Sequence, residues 1–199
     1  MYKGNSSRVF SIILVLIVIA VAIAGLVSVG RAIFGGNQPD PAQVDVSQQA
    51  LLNPSVSHSV RMTVRGTLVA DENFRSYRIT IDSSSRIMST HSGYLGTSID
   101  SKQYTNNTKA YEEFVHALDK ANLALGTQLP SEKDDTRGIC ASGQVYEFEI
   151  LENNRAVKRL WTSTCKGSAG SLKASVTQVE KLFLNQIPDQ KNLLKNIDL

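Results

Sequence analysis

Two cysteines, Cys140 and Cys165, and three histidines, His58, His91 and His116, are the side chains best suited to nucleophilic or metal chemistry. A nucleophilic thiol needs a base, and the histidines fall in a linker, a loop and a helical stretch with no spacing that implicates them. Two cysteines without a CxxC unit or a close histidine pair make a poor zinc set. Ser163-Thr164-Cys165-Lys166 matches S-x-x-K, but that chemistry needs the serine at a helix start and partner motifs elsewhere. Ser163 instead ends an expected strand, and the partners are missing. "CKGSAGS" lacks the spacing of a phosphate loop and reads as a connection in which Ser171 caps the next helix. The acidic run "SEKDDTRG", with Glu132, Asp134 and Asp135, lacks the ligand periodicity of a calcium loop and reads as solvated. The sequence therefore nominates no catalytic residue, no cofactor and no metal ligands. Asn106-Asn107-Thr108 is a glycosylation sequon whose meaning depends on the host.

The elements that position the cysteines are legible from periodicity. "QVYEFEIL" and "AVKRLWTST" read as strands joined at Asn153-Asn154, residues that tolerate left-handed turn conformations. Partners across that turn have numbers adding to 307, whereas 140 and 165 add to 305, so a one-residue shift or a bulge sets the cysteines opposite each other. A Cys140–Cys165 bridge is expected, with free or reactive thiols as the alternatives. Trp161, the chain's only tryptophan, is either a surface anchor for a partner or a packing residue of the hairpin.

Upstream, "SVRMTVRGTLVA" alternates Val60, Met62 and Val64 with Arg61, Thr63 and Arg65, and "SYRITID" does the same around Tyr77, Ile79 and Ile81. "SRIMST" and "GTSIDSKQYT" are weaker strands, which completes an antiparallel meander. In "TKAYEEFVHALDKANLAL" the spacing of Tyr111, Phe114, Val115, Leu118 and Leu125 predicts an amphipathic helix capped by Asn107 or Thr108. "SLKASVTQVEKLFLNQI" predicts a second, with Val176, Val179, Phe183 and Ile187 along one stripe and Pro188 as its stop. The fold class is α+β: an antiparallel sheet, made of the meander and a disulfide-stapled hairpin, packed by two amphipathic helices.

Val9 to Gly30 carries no charge, and its 22 residues as a helix would span about 33 Å, enough for a hydrocarbon core. This predicts a transmembrane anchor, with a cleaved signal peptide ending at Ala22-Ile23-Ala24 as the competing reading. Lys3 and Arg8 before the span favour a cytoplasmic N-terminus and an extracytoplasmic C-terminus at the plasma membrane. The expected organisation is a cytoplasmic end at 1–8, a single-pass helix at 9–30, a linker at 31–59 with one helical turn at "SQQALL", and a domain at 60–199. Beyond residue 44 there remain 18 basic and 17 acidic side chains, interspersed. That balance lacks the basic stripe a phosphate backbone demands, so nucleic acid is excluded as the expected partner.

"SVRMTVRG", "VADENFRSYRITI", "YTNNTKAYEEFVHAL", "RGICASGQVYEFEI", "LWTSTC" and "LFLNQIPD" together resemble a family of small, membrane-anchored extracytoplasmic proteins of Saccharibacteria and related reduced-genome bacteria. The likeness covers most of residues 45–190 and carries no assigned activity. It implies an external domain facing a host bacterium or the medium. A fainter likeness, in element order alone, is to emfourin-type inhibitors of secreted metalloproteases. The expected function is a non-enzymatic, membrane-tethered binding module for an extracytoplasmic protein or surface component. Alternatives are an extracellular protease inhibitor and an enzyme acting on envelope polymers.

Overall fold

The computed structural model describes residues 46–197 and Leu199, which belong to one unit spanning Asp45–Leu199. Six strands form one antiparallel sheet: β1 (His58–Arg65), β2 (Arg75–Asp82), β3 (Ser85–Ser92), β4 (Thr97–Thr105), β5 (Val145–Glu152) and β6 (Arg155–Ser163). Their order is β4-β3-β2-β1-β5-β6, so the four-strand meander and the later hairpin share β1 as the joint. Four α-helices accompany them: α1 (Val46–Leu52), α2 (Thr108–Lys120), α3 (Val176–Leu184) and α4 (Gln190–Lys195).

Alternation decides which face is covered. Val60, Met62 and Val64 lie across from Ile81, Ile79 and Tyr77 on one side and from Ile150, Phe148 and Tyr146 on the other. All nine are buried in one cluster with Leu51, Phe114, Leu118, Val179 and Phe183 from the helices. Phe183 meets Phe114 edge-on at 5.3 Å and lies 6.0 Å from Phe148, so one ring joins α3, α2 and the sheet. Burying such a ring contributes about 2 to 3 kcal/mol. Tyr77 also donates its hydroxyl to Glu180 at 2.9 Å, tying β2 to α3; burial and the nearby carboxylate push its ionisation far above the usual phenol value.

Several expectations need correction. Residues 46–59 are not free linker: Leu51 is fully buried, α1 packs into the core, and β1 starts at His58. The small polar composition of this stretch outweighed its two apolar core positions, Ala50 and Leu51. The first amphipathic helix is capped as expected, Asn107 Oδ1 accepting the Ala110 amide at 2.9 Å, but it stops at Lys120 because Asn122 takes a left-handed conformation. Leu125 is left 67% exposed. The helix after the glycines starts at Val176, not at Ser171. Past Pro188 the chain resumes as α4, whose Leu193 closes the core. There are thus four α-helices among the described residues, where periodicity gave two and a single turn. The expected span at 9–30 lies outside the described residues; within them no helix is long and apolar enough to cross a membrane.

Candidate functional site

The end of the sheet where β1 finishes and β2 begins gathers three connections: 66–74, the β3–β4 turn and the segment before β5. Backbone bonds knit them together, Gly66 N–H to Arg75 O at 3.0 Å and Leu68 N–H to Ala141 O at 2.9 Å. The β3–β4 turn carries Tyr94 and Leu95 between Gly93 and Gly96, both at positive φ. Asp71 Oδ1 accepts the Tyr94 amide at 2.7 Å, and a Cβ at Gly93 would press on that carboxylate at 3.1 Å. The Tyr94 ring stacks on Phe74 with centroids 4.1 Å apart, and its hydroxyl bonds the backbone of Val69. The result is a pinned backbone bearing outward apolar side chains. Leu95 is 97% exposed, while Leu68 and Val69 are each 43% exposed. Beside them lies a small cleft whose lining includes Leu68, Phe74, Tyr94, Ile139 and Cys140 together with the polar Arg65 and Thr136.

Cys140 and Cys165 stand at disulfide distance under this end, with Cα atoms 5.5 Å apart. Asn153 and Asn154 both take positive φ, as the hairpin reading requires. Near the open end, however, Val145 pairs with Ser163, and continuing that register sets Gly143 across from Cys165. The chain folds back through residues 141–144, so Cys140 reaches over Gly143 to meet Cys165. A Cβ at Gly143 would lie 2.9 Å from Cys140 Sγ and would collide with Thr164 Oγ1. Glycine is the residue that leaves room for the crossing.

The uncovered face of β1, β5 and β6 is closed by charge. Glu147 accepts from Arg65 and Arg159, each at 2.7 Å, through different oxygens. Arg159 also reaches Asp134 Oδ2 at 3.0 Å and Asp134 O at 2.9 Å, and Thr136 Oγ1 bonds Arg65 and Glu147. Burial weakens the Arg159 charge, but Glu147 and Asp134 outweigh it and hold the guanidinium above its usual value. Asp134 is thus an anchor of its loop and not part of a solvated run, because β6 presents Arg159 where the loop crosses. Asp135 turns outward to Arg137, whose hydrogen bonds draw its carboxyl down to about 2. Among the described residues no group of acidic, histidine or cysteine side chains could hold a metal ion.

The other residues singled out by sequence have structural partners. Trp161 is 3% exposed, so in this structure its indole packs and is not offered at the surface. Ser171 does not cap a helix: its hydroxyl accepts the Trp161 amide at 3.1 Å, and Ser171 and Leu172 amides both donate to Trp161 O at 3.0 Å. Ser163 of the S-x-x-K match donates to Ser168 O at 2.8 Å. Asn106 of the sequon donates to Asp82 O at 2.6 Å. Gln128 and the 171–172 segment together cover the outer edge of β6, Gln128 Oε1 accepting the Arg159 amide at 2.9 Å.

The sequence did not reveal one cluster. His58 is 6% exposed, its Nδ1 2.7 Å from Ser55 Oγ and 3.1 Å from Ser57 Oγ, its Nε2 3.8 Å from Glu152 Oε1. A serine, a histidine and a glutamate in that order invite comparison with a nucleophile, base and orienting acid. The separation from Glu152 exceeds a hydrogen bond. The Ser55 amide is taken by Asn53 Oδ1 and the His58 amide by Ser55 O, so neither is free to bind an oxyanion. The arrangement clamps the turn that starts β1. His91 lies on β3 and His116 on α2. No family model matches this chain, and no curated protein matches it.

Proposed function

We propose that this protein is a non-enzymatic, membrane-tethered extracytoplasmic binding module, a single-pass plasma-membrane protein that recognises an envelope or surface protein through the loop end of its sheet. One observation carries the reading: Leu95, Leu68 and Val69 are exposed on backbone fixed by Asp71, Phe74, Tyr94 and the cysteine pair. Apolar side chains held rigidly at a surface contribute burial on binding without a large ordering cost. The charge-free run at 9–30 and the resemblance to anchored proteins supply the tether and its side of the membrane.

A photoreactive residue placed at Leu95 in the full chain on intact cells should crosslink to one discrete envelope component. The same probe at Lys181, an exposed residue of α3, should not. Equal capture at both positions, or capture at neither, would sink the reading. The inhibitor alternative predicts instead near one-to-one block of a secreted protease by the purified protein, lost when Leu95 becomes serine.

A further inference from the structure

The two edges of the sheet are treated differently. The outer side of β6 is occupied by Gln128, Ser171 and Leu172. β4 pairs with β3 on one side, and seven of its nine residues are exposed. Asn106 N–H donates to Ser84 O at 2.8 Å, continuing the β3–β4 register in which Thr105 faces Ser85. Peptide groups in an antiparallel strand alternate, so the even-numbered residues 100–104 turn theirs toward β3, and Ser101, Gln103 and Thr105 turn theirs outward. Two side chains hold parts of that outer row: Asp100 Oδ1 accepts the Ser101 amide at 2.7 Å, and Arg86 donates to Thr105 O at 2.8 Å. An edge of this length with no strand beside it among the described residues is a template for another strand.

We propose that the occupant is a second copy of this chain, paired antiparallel through β4 with Ser101 on the twofold axis, which joins two six-stranded sheets into one of twelve. Three features select this copy and this register. Outward residues can only meet outward residues, so the axis must pass through a residue and not between two. The β3–β4 register shifts between Thr90 and His91, so alternation is regular only over Asp100–Thr105, and an axis through Ser101 falls inside that run. It also sets Asp100 across from Lys102 of the second copy, twice. Moving the axis to Asp100 would face two carboxylates, and moving it to Lys102 would face two ammonium groups. The Asp100–Lys102 positions become non-hydrogen-bonded pairs, where side chains approach most closely. Ser101 exchanges two backbone bonds with its counterpart, and Asp100 gives up its local bond to the Ser101 amide for the ammonium of the second copy. The surface used is separate from the Leu95 end, so a monomer would overturn this inference and leave the binding module standing.

The test uses the full chain in detergent. Ser101→Cys should form a disulfide dimer on a non-reducing gel, since opposed Cα atoms in a bonded pair lie about 5.5 Å apart. Gln103→Cys should not, because its two copies would be about 13 Å apart along the ladder. Asp100→Lys and Lys102→Asp should each weaken dimerisation at least tenfold by light scattering. The double swap Asp100→Lys/Lys102→Asp should restore it, with circular dichroism showing the fold kept throughout. A chain that stays monomeric, equal crosslinking at 101 and 103, or a double swap no better than the single ones would overturn the proposal.

Discussion

The hydroxyl of Tyr94 donates to Val69 O at 2.7 Å and accepts the Val69 amide at 3.2 Å, so one phenol closes both backbone groups of a residue 25 positions earlier. Through this contact the β3–β4 turn and the 66–74 connection behave as one surface. Tyr94→Phe keeps the stack on Phe74 and removes both hydrogen bonds. It should cost about 1 kcal/mol of global stability, while amide exchange at Val69 and Leu68 should accelerate far more than the global change explains. Unchanged exchange at Val69 would mean the phenol does not hold the loop.

The cysteine pair closes a loop whose ends are 25 residues apart in sequence. Cys140→Ser/Cys165→Ser should destabilise by about 3 kcal/mol if the constraint acts on the unfolded chain. Denaturant melts with and without reductant should separate the wild type by a similar amount and leave the double variant unmoved. Free thiols titrating in the folded, oxidised wild type would refute the bridge.

The sheet is legible in the sequence because its strands announce themselves twice, by alternation and by turn residues. Val60, Met62 and Val64 mark the buried face by alternation alone, and Asn153-Asn154 marks the hairpin turn. What local pattern cannot convey is pairing between distant strands: nothing near β1 says that it meets β5 as well as β2. The candidate surface is hidden for a related reason. Leu68 and Val69 look like ordinary strand residues and Leu95 falls in the connection between two strands; only the contacts of Asp71, Phe74 and Tyr94 bring the three together on one fixed surface. Lys158 misleads in the opposite sense, a lysine on the core face, 9% exposed, donating to Ala124 O at 2.5 Å. Ser55 and Ser57 gain meaning only once His58 is known to point inward.

Asp82 accepts from the amides and hydroxyls of both Ser84 and Ser85 at 2.6 to 2.8 Å, shaping the β2–β3 turn. Burial alone would raise its pKa, but the four donors outweigh burial and hold it below the ordinary 3.8. A carboxyl depressed by folding contributes stability above its unfolded pKa and loses it as pH falls through the lower folded value. Asp82→Asn should therefore be less stable than wild type at pH 7, by about 1 to 2 kcal/mol for charge-assisted bonds made neutral. The gap should narrow as pH drops from about 4 toward the folded pKa. A gap that stays constant across that window would remove Asp82 as an acid-sensitive element.

Gly167 and Gly170 flank one short connection, both at positive φ, 87° and 67°, yet they face different surroundings. A Cβ at Gly167 meets nothing within 4 Å, so Gly167→Ala carries only the cost of a left-handed alanine, about 1 to 2 kcal/mol. A Cβ at Gly170 would run into Trp161 O and lie 2.7 Å from the indole Cε3. Gly170→Ala adds that collision, and the bonds from Ser171 and Leu172 that cover the β6 edge must then shift. Its penalty should exceed that of Gly167→Ala by at least about 2 kcal/mol. Because Trp161 is the only tryptophan, native-state fluorescence reports the site directly. Emission should move to the red in Gly170→Ala and stay in place in Gly167→Ala; equal melts and equal spectra for the two would show that the glycine does not seat the indole.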